Sequence, residues 1–166
     1  MPDADAVVEG SGLEWTHLFP GEFMANTWEW AGSIKSEGVV RAPFGDWTSA
    51  MVHETDISAV AVAALLRDGH AGRTCTPTGP EPVRRADAVR IIGRAIGREI
   101  HFVELTPDQA REHWKDVCPE TVIEWFLQMG AHPDMNAPVL PDAEQVTGRP
   151  GRAFARWAAD HAGGFR

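Results

Sequence analysis

The stretch GLEWTHLFPGEFMAN, residues 12–26, decides how the rest of the sequence is interpreted. Residues 13–19 alternate apolar and polar side chains, which is typical of a half-buried strand, and Pro20-Gly21 marks a turn directly after it. The apolar spacing over residues 22–34 then predicts a helix. A strand, a turn and a helix in this order favour an α/β fold.

Short strands and helices continue along the sequence, mixed at first and mostly helical later. An apolar segment at residues 57–66, capped by Thr55 or Asp56, predicts a buried helix. Thr106-Pro107 is a strong helix start, and Gly97 is a typical helix end. The other predicted elements are strands at 39–41, 50–52, 73–76 and 99–105, and helices at 3–9, 83–96, 107–115, 119–129, 142–146 and 150–161.

The composition predicts one globular domain over residues 1–166. With 43% hydrophobic and 23% charged residues, a chain of this length can bury a core. A net charge of −9 argues against nucleic-acid binding, because phosphate contacts need clustered Lys and Arg. No apolar run reaches the roughly 20 residues of a membrane helix, and no signal peptide opens the sequence, so we expect no membrane association and a cytoplasmic location.

Several kinds of chemistry are excluded by what the sequence lacks. It has no tyrosine, so no Tyr phenol of this chain serves as an acid or base. Cys75 and Cys118 lie too far apart for a metal or redox motif, and His53-Glu54-x-Asp56 lacks the second His of a zinc pair, so no metal site is predicted. No Gly-x-Gly-x-x-Gly follows a strand, so no turn of the usual kind binds a pyrophosphate.

Four colinear motifs resemble the NmrA-like family of atypical short-chain dehydrogenase/reductases. They are residues 12–26, His53-Glu54-Thr55-Asp56-Ile57 with its Ala-rich helix, residues 72–81 and residues 89–97. The family's sixth strand typically reads Trp-Thr-x-Leu-Arg-Pro-Gly-x-Phe-Met-x-Asn, although Phe19 stands here in place of the Arg. The resemblance covers about residues 5–165 and implies a truncated Rossmann-like α/β fold with few strands and several helices.

Only the C-terminal, substrate-facing portion of that family is matched. In NmrA-like proteins these motifs follow the first five strands and the glycine-rich loop that binds the dinucleotide, and neither has a counterpart in this sequence. We therefore expect no cofactor bound by this chain alone, and NAD(P) only where a partner supplies the missing loop. A sheet without those strands exposes an edge and an apolar face, so we expect a homodimer or a complex with another chain.

His17, Glu22 and His53 are the candidate catalytic residues. His17 precedes the Pro20-Gly21 turn, which by the resemblance faces nicotinamide and substrate. With Glu22, His17 would form an acid/base pair, since a carboxylate tunes a nearby His. The alternatives are a solvated His on a strand and a Glu that favours a helix N-terminus. By resemblance, His53 lies near the cleft, where it would contact substrate.

The candidate substrate-binding residues surround the same turn. Trp28 and Trp30 cannot share one helix face, so one of them should point away from the core, into a pocket or an interface. Trp47, in a loop, is a candidate lid or aromatic ligand contact. The full set is Phe19, Pro20, Gly21, Phe23, Trp28 and Trp47, whereas Trp15, Trp114, Trp125 and Trp157 fit core positions.

Three functions are compatible with these observations. The first is a cofactor-independent isomerase, cyclase or lyase-type tailoring enzyme that acts on a hydrophobic or polycyclic small molecule and uses His17, Glu22 and His53 to move protons. The second is half of a split NAD(P)-dependent oxidoreductase that a partner chain completes. The third is a non-catalytic binding or regulatory module. The first is favoured, because an aromatic pocket is kept without the cofactor loop.

Overall fold

Three two-stranded sheets and eight α-helices make up residues 4–166, the part of the chain that the computed structural model describes. This confirms the predicted α/β class with few strands and several helices. The strands are β1 (Thr16–Leu18), β2 (Val39–Ala42), β3 (Thr48–Ser49), β4 (Arg73–Cys75), β5 (Val83–Arg84) and β6 (His101–Glu104). The helices are α1 (Ala4–Glu9), α2 (Ala31–Glu37), α3 (Glu54–Leu66), α4 (Arg85–Ile96), α5 (Pro107–Trp114), α6 (Glu120–Met129), α7 (Asp142–Thr147) and α8 (Phe154–Asp160).

Two of the three strand pairs are parallel. β1 pairs with β4, and β2 pairs with β6, whereas β3 and β5 are antiparallel. Parallel strands need a crossover connection, and α3 lies between β1 and β4 in the chain as such connections require. β4 is short because Pro77 follows it and has no N–H to continue the ladder. β1 is correspondingly shorter than the predicted strand at residues 13–19.

The main core joins the β2–β6 pair to α2, α4 and α8. Trp157 is fully buried, which confirms its predicted core position, and Phe154, Phe165 and Ile34 pack in the same cluster. Burying each such side chain contributes about 1.5–3 kcal/mol. The predicted core position of Trp125 is wrong, since that side chain on α6 is 54% exposed. No helix among residues 4–166 combines the length and apolar character of a membrane span.

The predicted helix over residues 22–34 is wrong in its first half. The chain is extended up to Phe23, forms a 3-10 segment at Met24–Trp30, and becomes α-helical only at Ala31. The Val52 N–H donates to Glu22 O (2.8 Å), and the Met24 N–H donates to Val52 O (3.0 Å). Because this pairing engages the backbone of residues 22–24, no helix begins before Met24.

The N-cap of α3 is His53 and not Thr55 or Asp56. His53 Nδ1 accepts the backbone N–H of Thr55 (3.1 Å), so the helix begins at Glu54. Asp56 is instead buried, and its Oδ2 accepts the backbone N–H of Arg152 (2.7 Å). Its carboxylate therefore connects α3 to the segment before α8.

Three other predicted boundaries differ from the structure. The strand predicted at 50–52 lies instead at Thr48–Ser49, and the Ala50 N–H donates to Asn136 O (2.8 Å). Because β3 pairs with β5, the helix predicted from residue 83 begins at Arg85. The last helix begins at Phe154, since the segment before it is extended and contacts Asp56. Position 3 of the first predicted helix lies outside the described residues.

Candidate functional site

The segment Phe19-Pro20-Gly21-Glu22-Phe23 is held by backbone hydrogen bonds on both sides. The Phe19 N–H donates to Cys75 O (2.9 Å) and the Gly21 N–H to Pro77 O (3.0 Å), which continues the β1–β4 pairing past the strand ends. Glu22 and Met24 then pair with Val52, as described above. The rings of Phe19 and Phe23 remain 47% and 38% exposed, so this segment, named here the turn segment, presents aromatic surface to solvent.

His17 does not form the predicted pair with Glu22. Its Nδ1 lies 3.7 Å from Asp5 Oδ1 and its Nε2 lies 3.3 Å from Glu9 Oε1, both on α1. The Nε2 atom is buried and makes no hydrogen bond of good geometry with a described residue, although Glu9 is within ion-pair distance. α1 therefore supplies the carboxylates beside His17, and the acid/base pair expected from the sequence is absent from the described residues.

Glu22, a residue of the turn segment, belongs to a second polar cluster together with Trp47. Trp47 Nε1 donates to Glu22 Oε2 (3.1 Å), and the Trp47 side chain is almost fully buried, so it forms a wall of this cluster and not a lid. Trp30 and Ser49 line the same small cavity, of about 10 Å³. Ser49 Oγ is buried and has no hydrogen-bond partner among the described residues, whereas the buried Trp30 Nε1 makes no hydrogen bond of good geometry but interacts with the Glu29 carboxylate.

Arg85 carries the positive charge of this cluster. Its guanidinium donates to Pro43 O (2.5 Å) and its Cζ lies 6.0 Å from the centre of the Trp47 ring. Burial lowers the pKa of Arg85, and the charges of Glu22 and Glu29 oppose this shift. Burial also raises the pKa of Glu29 above its ordinary value, although its side chain keeps contact with solvent. The Trp30 indole and Arg85 oppose that rise.

His53 begins a third polar group, beside Phe23 and α3. Its side chain is 10% exposed, and its Nδ1 lies 3.1 Å from Glu54 Oε2 as well as 3.1 Å from the Thr55 nitrogen. Trp157 Nε1 donates to both carboxylate oxygens of Glu54, at 3.1 and 3.2 Å. His53, Glu54 and Trp157 therefore form a continuous chain from the fully buried core to the surface.

Aromatic rings surround this third group. Trp28 is 38% exposed, whereas Trp30 is buried, so Trp28 is the tryptophan that points away from the core. It stacks on Phe165 at 4.7 Å and meets His161 edge-on at 5.5 Å. His161 lies 4.5 Å from the Trp157 ring, and its ring centre is 6.4 Å from that of His53.

Sequence reasoning missed four residues of these clusters. Glu54 belongs to the His53-Glu54-x-Asp56 motif but was assigned no role, and Arg85 was not among the candidate residues. Trp157 lies 103 residues from Glu54, and His161 lies beyond it. No local pattern connects positions so far apart, so only the folded chain brings them together.

The described residues fit an apolar ring better than a pyrophosphate. Phe19-Pro20 directly follows β1, and Pro20 has no N–H to offer a phosphate, whereas Phe19 and Phe23 offer exposed aromatic surface. Within residues 4–166, no three His, Cys, Asp or Glu side chains are placed to hold a metal ion.

Two relatives match almost the whole chain. It is 41% identical over 163 residues to a (4-alkanoyl-5-oxo-2,5-dihydrofuran-3-yl)methyl phosphate reductase of Streptomyces griseus, covering 97% of this chain and 58% of the relative. It is 35% identical to an NAD(P)H azoreductase of Xenophilus azovorans, covering 95% of this chain and 56% of the relative. The chain thus spans little more than half the length of these relatives. No family model matches it.

Solved structures agree with these matches. An NADPH-dependent quinone oxidoreductase of Escherichia coli superposes with a TM-score of 0.78 at 17% identity, covering 94% of this chain and 58% of that one. NmrA, a negative transcriptional regulator solved with NADP, superposes with a TM-score of 0.59 at 18% identity, covering 94% and 55%. The chain has an NmrA-like fold. The coverage agrees with the expected match to one portion of that fold, and the NmrA-like resemblance stated from the sequence is confirmed.

Proposed function

We propose that this chain is the substrate-facing part of an NAD(P)H-dependent reductase for small conjugated organic molecules. The observation that carries the proposal is its similarity along almost its whole length to two reductases, at 41% and 35% identity. Those relatives are named for reducing a furanone phosphate and azo compounds. Conjugated, ring-containing substrates suit the exposed aromatic surface that Phe19 and Phe23 form at the turn segment.

The reduction needs a second part that binds the cofactor. Reduced nicotinamide supplies a hydride when it is bound, and the pyrophosphate that carries it is usually held by a glycine-rich turn, a motif that this sequence lacks. The residues of this chain would cover the nicotinamide end through Phe19, Pro20 and Gly21. They would also position the substrate and exclude water from it.

Exposed apolar side chains near the turn segment support pairing with such a part. Leu13, Phe19, Phe23 and Trp28 are all exposed by more than a third. A contiguous exposed apolar patch marks an interaction surface, and we propose that these side chains contribute to one. The alternative is that a second copy of this chain covers the same apolar side chains in a homodimer. Light scattering after size-exclusion chromatography distinguishes the two alternatives. A monomer that forms a 1:1 complex with the cofactor-binding part supports the proposed pairing.

Complementation tests the proposed function. The chain is mixed with the part of the Streptomyces griseus reductase outside the matched region, and NADPH oxidation is followed with a quinone, an azo dye and a furanone phosphate. We expect oxidation by the mixture and by neither part alone. Phe19→Ser should lower the rate, whereas Val117→Ser, at a more exposed apolar position between α5 and α6, should not. Tight NADPH binding by the chain alone would contradict the proposal.

The cofactor-independent isomerase, cyclase or lyase stays a second candidate. His53 with its adjacent carboxylate is the observation that favours it, because this pair can move a proton without a cofactor. The His17–Glu22 pair no longer supports it, since His17 lies beside Asp5 and Glu9. Conversion of a substrate by this chain alone, without NADPH, would favour this candidate over the reductase.

A further inference from the structure

We propose that His53 is the proton donor of this site, and that Glu54 and Trp157 position it. The proposal deepens the proposed reductase function and rests on it. In this arrangement Nε2 of His53 gives its proton to the substrate, while Glu54 keeps the other ring proton on Nδ1. Trp157 holds Glu54 in place from the core.

The backbone places His53 beside the turn segment. Val52 pairs with Glu22 and Met24 and bridges to Phe23, so the next residue, His53, lies against the same segment. His53 Nε2 makes no hydrogen bond with a described residue. It is also not fully buried, since the fully buried side-chain atoms without a partner do not include it. This ring nitrogen is therefore free to meet a ligand at the surface.

The core fixes the carboxylate that faces Nδ1. Trp157 is fully buried and stacks between Phe154, at 5.7 Å, and His161, at 4.5 Å. Its indole N–H reaches both oxygens of Glu54, so the carboxylate keeps one orientation although it is 38% exposed. Glu54 Oε2 is then 3.1 Å from His53 Nδ1, which is ion-pair distance, whereas the hydrogen bond formed at Nδ1 is the one accepted from the Thr55 N–H.

Two neighbours of His53 Nδ1 require different protonation states of this nitrogen. The Thr55 N–H needs a ring nitrogen without a proton, whereas the Glu54 carboxylate accepts only from a nitrogen that carries one. In the imidazolium form both nitrogens carry protons, so Nδ1–H can be held only by Glu54. The helix cap alone, with no role for Glu54, is the competing explanation.

The proton transfer balances at His53. The Nε2–H bond breaks, its electron pair stays on Nε2, and the proton passes to the substrate atom that becomes negative as it is reduced by hydride from NAD(P)H. The ring is left neutral with its proton on Nδ1, held by Glu54, and water restores the Nε2 proton. The chain contains no tyrosine that could take this role. His161 and Glu54 are the titratable groups that face the His53 ring closely in the described residues.

Nitrogen NMR of the full chain tests the orientation without any activity. With ¹⁵N-labelled histidines, and His53 assigned by its loss in His53→Gln, we expect the neutral ring to carry its proton on Nδ1. Glu54→Gln should move that proton to Nε2, because the Gln amide donates to Nδ1. Glu120→Gln is the matched control, since Glu120 is likewise the first residue of a helix. A proton on Nε2 in the wild type, unchanged by Glu54→Gln, overturns the proposal.

Turnover in the complemented reductase tests the proton transfer itself. We expect His53→Gln to lower turnover by about 100-fold or more. Glu54→Gln should lower it by at least about tenfold, because the wrong nitrogen then carries the proton. Glu120→Gln should have no effect. Full activity of His53→Gln overturns the donor role and leaves the reductase function intact. An inactive wild-type mixture contradicts the reductase function. In that case the NMR measurement alone tests which nitrogen of His53 carries the proton.

Discussion

Two tryptophan indoles each donate a hydrogen bond to one glutamate, and the two pairs differ in which other side chains lie near the carboxylate. In the Trp47–Glu22 pair, the neighbours are Arg85 and a small cavity lined by Trp30 and Ser49. In the Trp157–Glu54 pair, the neighbour is His53. The same indole–carboxylate contact therefore lies beside the Arg85 charge in the Trp47–Glu22 pair and beside a histidine ring in the Trp157–Glu54 pair.

The difference shows why one histidine of the sequence remains a candidate and another does not. His53 has a carboxylate that the core holds still, and a second ring nitrogen with no partner. His17 has two carboxylates from α1, which are about half exposed and have no indole to fix them. A proton donor needs one nitrogen engaged and the other free, and of these two histidines His53 satisfies this.

Replacing the two tryptophans by alanine should give the largest contrast between the pairs. Trp157→Ala removes a fully buried ring from the main core and should lower the free energy of unfolding by about 3–5 kcal/mol. Trp47→Ala should cost less, because Trp47 lies outside that core cluster. Urea denaturation measures both. Equal losses would show that the two indoles are equally integrated in the core.

Removing a buried hydroxyl should have different effects at Thr27, where the hydroxyl is hydrogen-bonded, and at Ser49, beside the Trp47–Glu22 pair, where it is not. Thr27 Oγ1 donates to Met24 O at 2.8 Å and is buried, so Thr27→Val should cost about 1 kcal/mol. Ser49 Oγ is equally buried and has no partner, so Ser49→Ala should be close to neutral or stabilising. Thermal unfolding of both variants checks this order. A large loss in Ser49→Ala would show that a water fills the cavity.

Glutamine at Glu29 should change the pH dependence of stability on the Trp47–Glu22 side. Burial raises the pKa of Glu29 above its ordinary value of 4.5, so the folded chain binds this proton more tightly than the unfolded chain does. The resulting stabilisation is fully present below pH 4.5 and is lost as the pH rises through the pKa of the folded state. Glu29→Gln keeps the neutral form at every pH. Relative to the wild type, the variant should gain stability between acid and neutral pH, measured by urea denaturation.

Glu124 provides the opposite control. A hydrogen bond from Arg111 lowers the pKa of Glu124 below 4.5, so its contribution is present above that pH and is lost as the pH falls through the folded pKa. Glu124→Gln should therefore be less stable than the wild type at neutral pH, with the difference vanishing in acid. The effect is the smallest of the series, because the pair is exposed.

Local signals predicted those elements that depend on neighbouring residues. Thr106, Pro107 and Gln109 form the expected helix start, now seen as a complete capping box, and Gly97 ends α4 with a positive φ of 70°. β6 lies within the predicted strand. The errors fall where distant segments compete for the same backbone groups, as Val52 does for residues 22–24.

The candidate site divides in the same way. Composition and motifs determined the fold class, the NmrA-like resemblance, the absence of a tyrosine and of a glycine-rich loop, and His53 as a candidate. The tertiary structure decided which carboxylate stands beside each histidine: α1 for His17, and Glu54 for His53. It also decided that Trp157, 103 residues away, holds Glu54. Spacing along a chain specifies caps and periodic faces, but side-chain partners across the core depend on packing that no local pattern records.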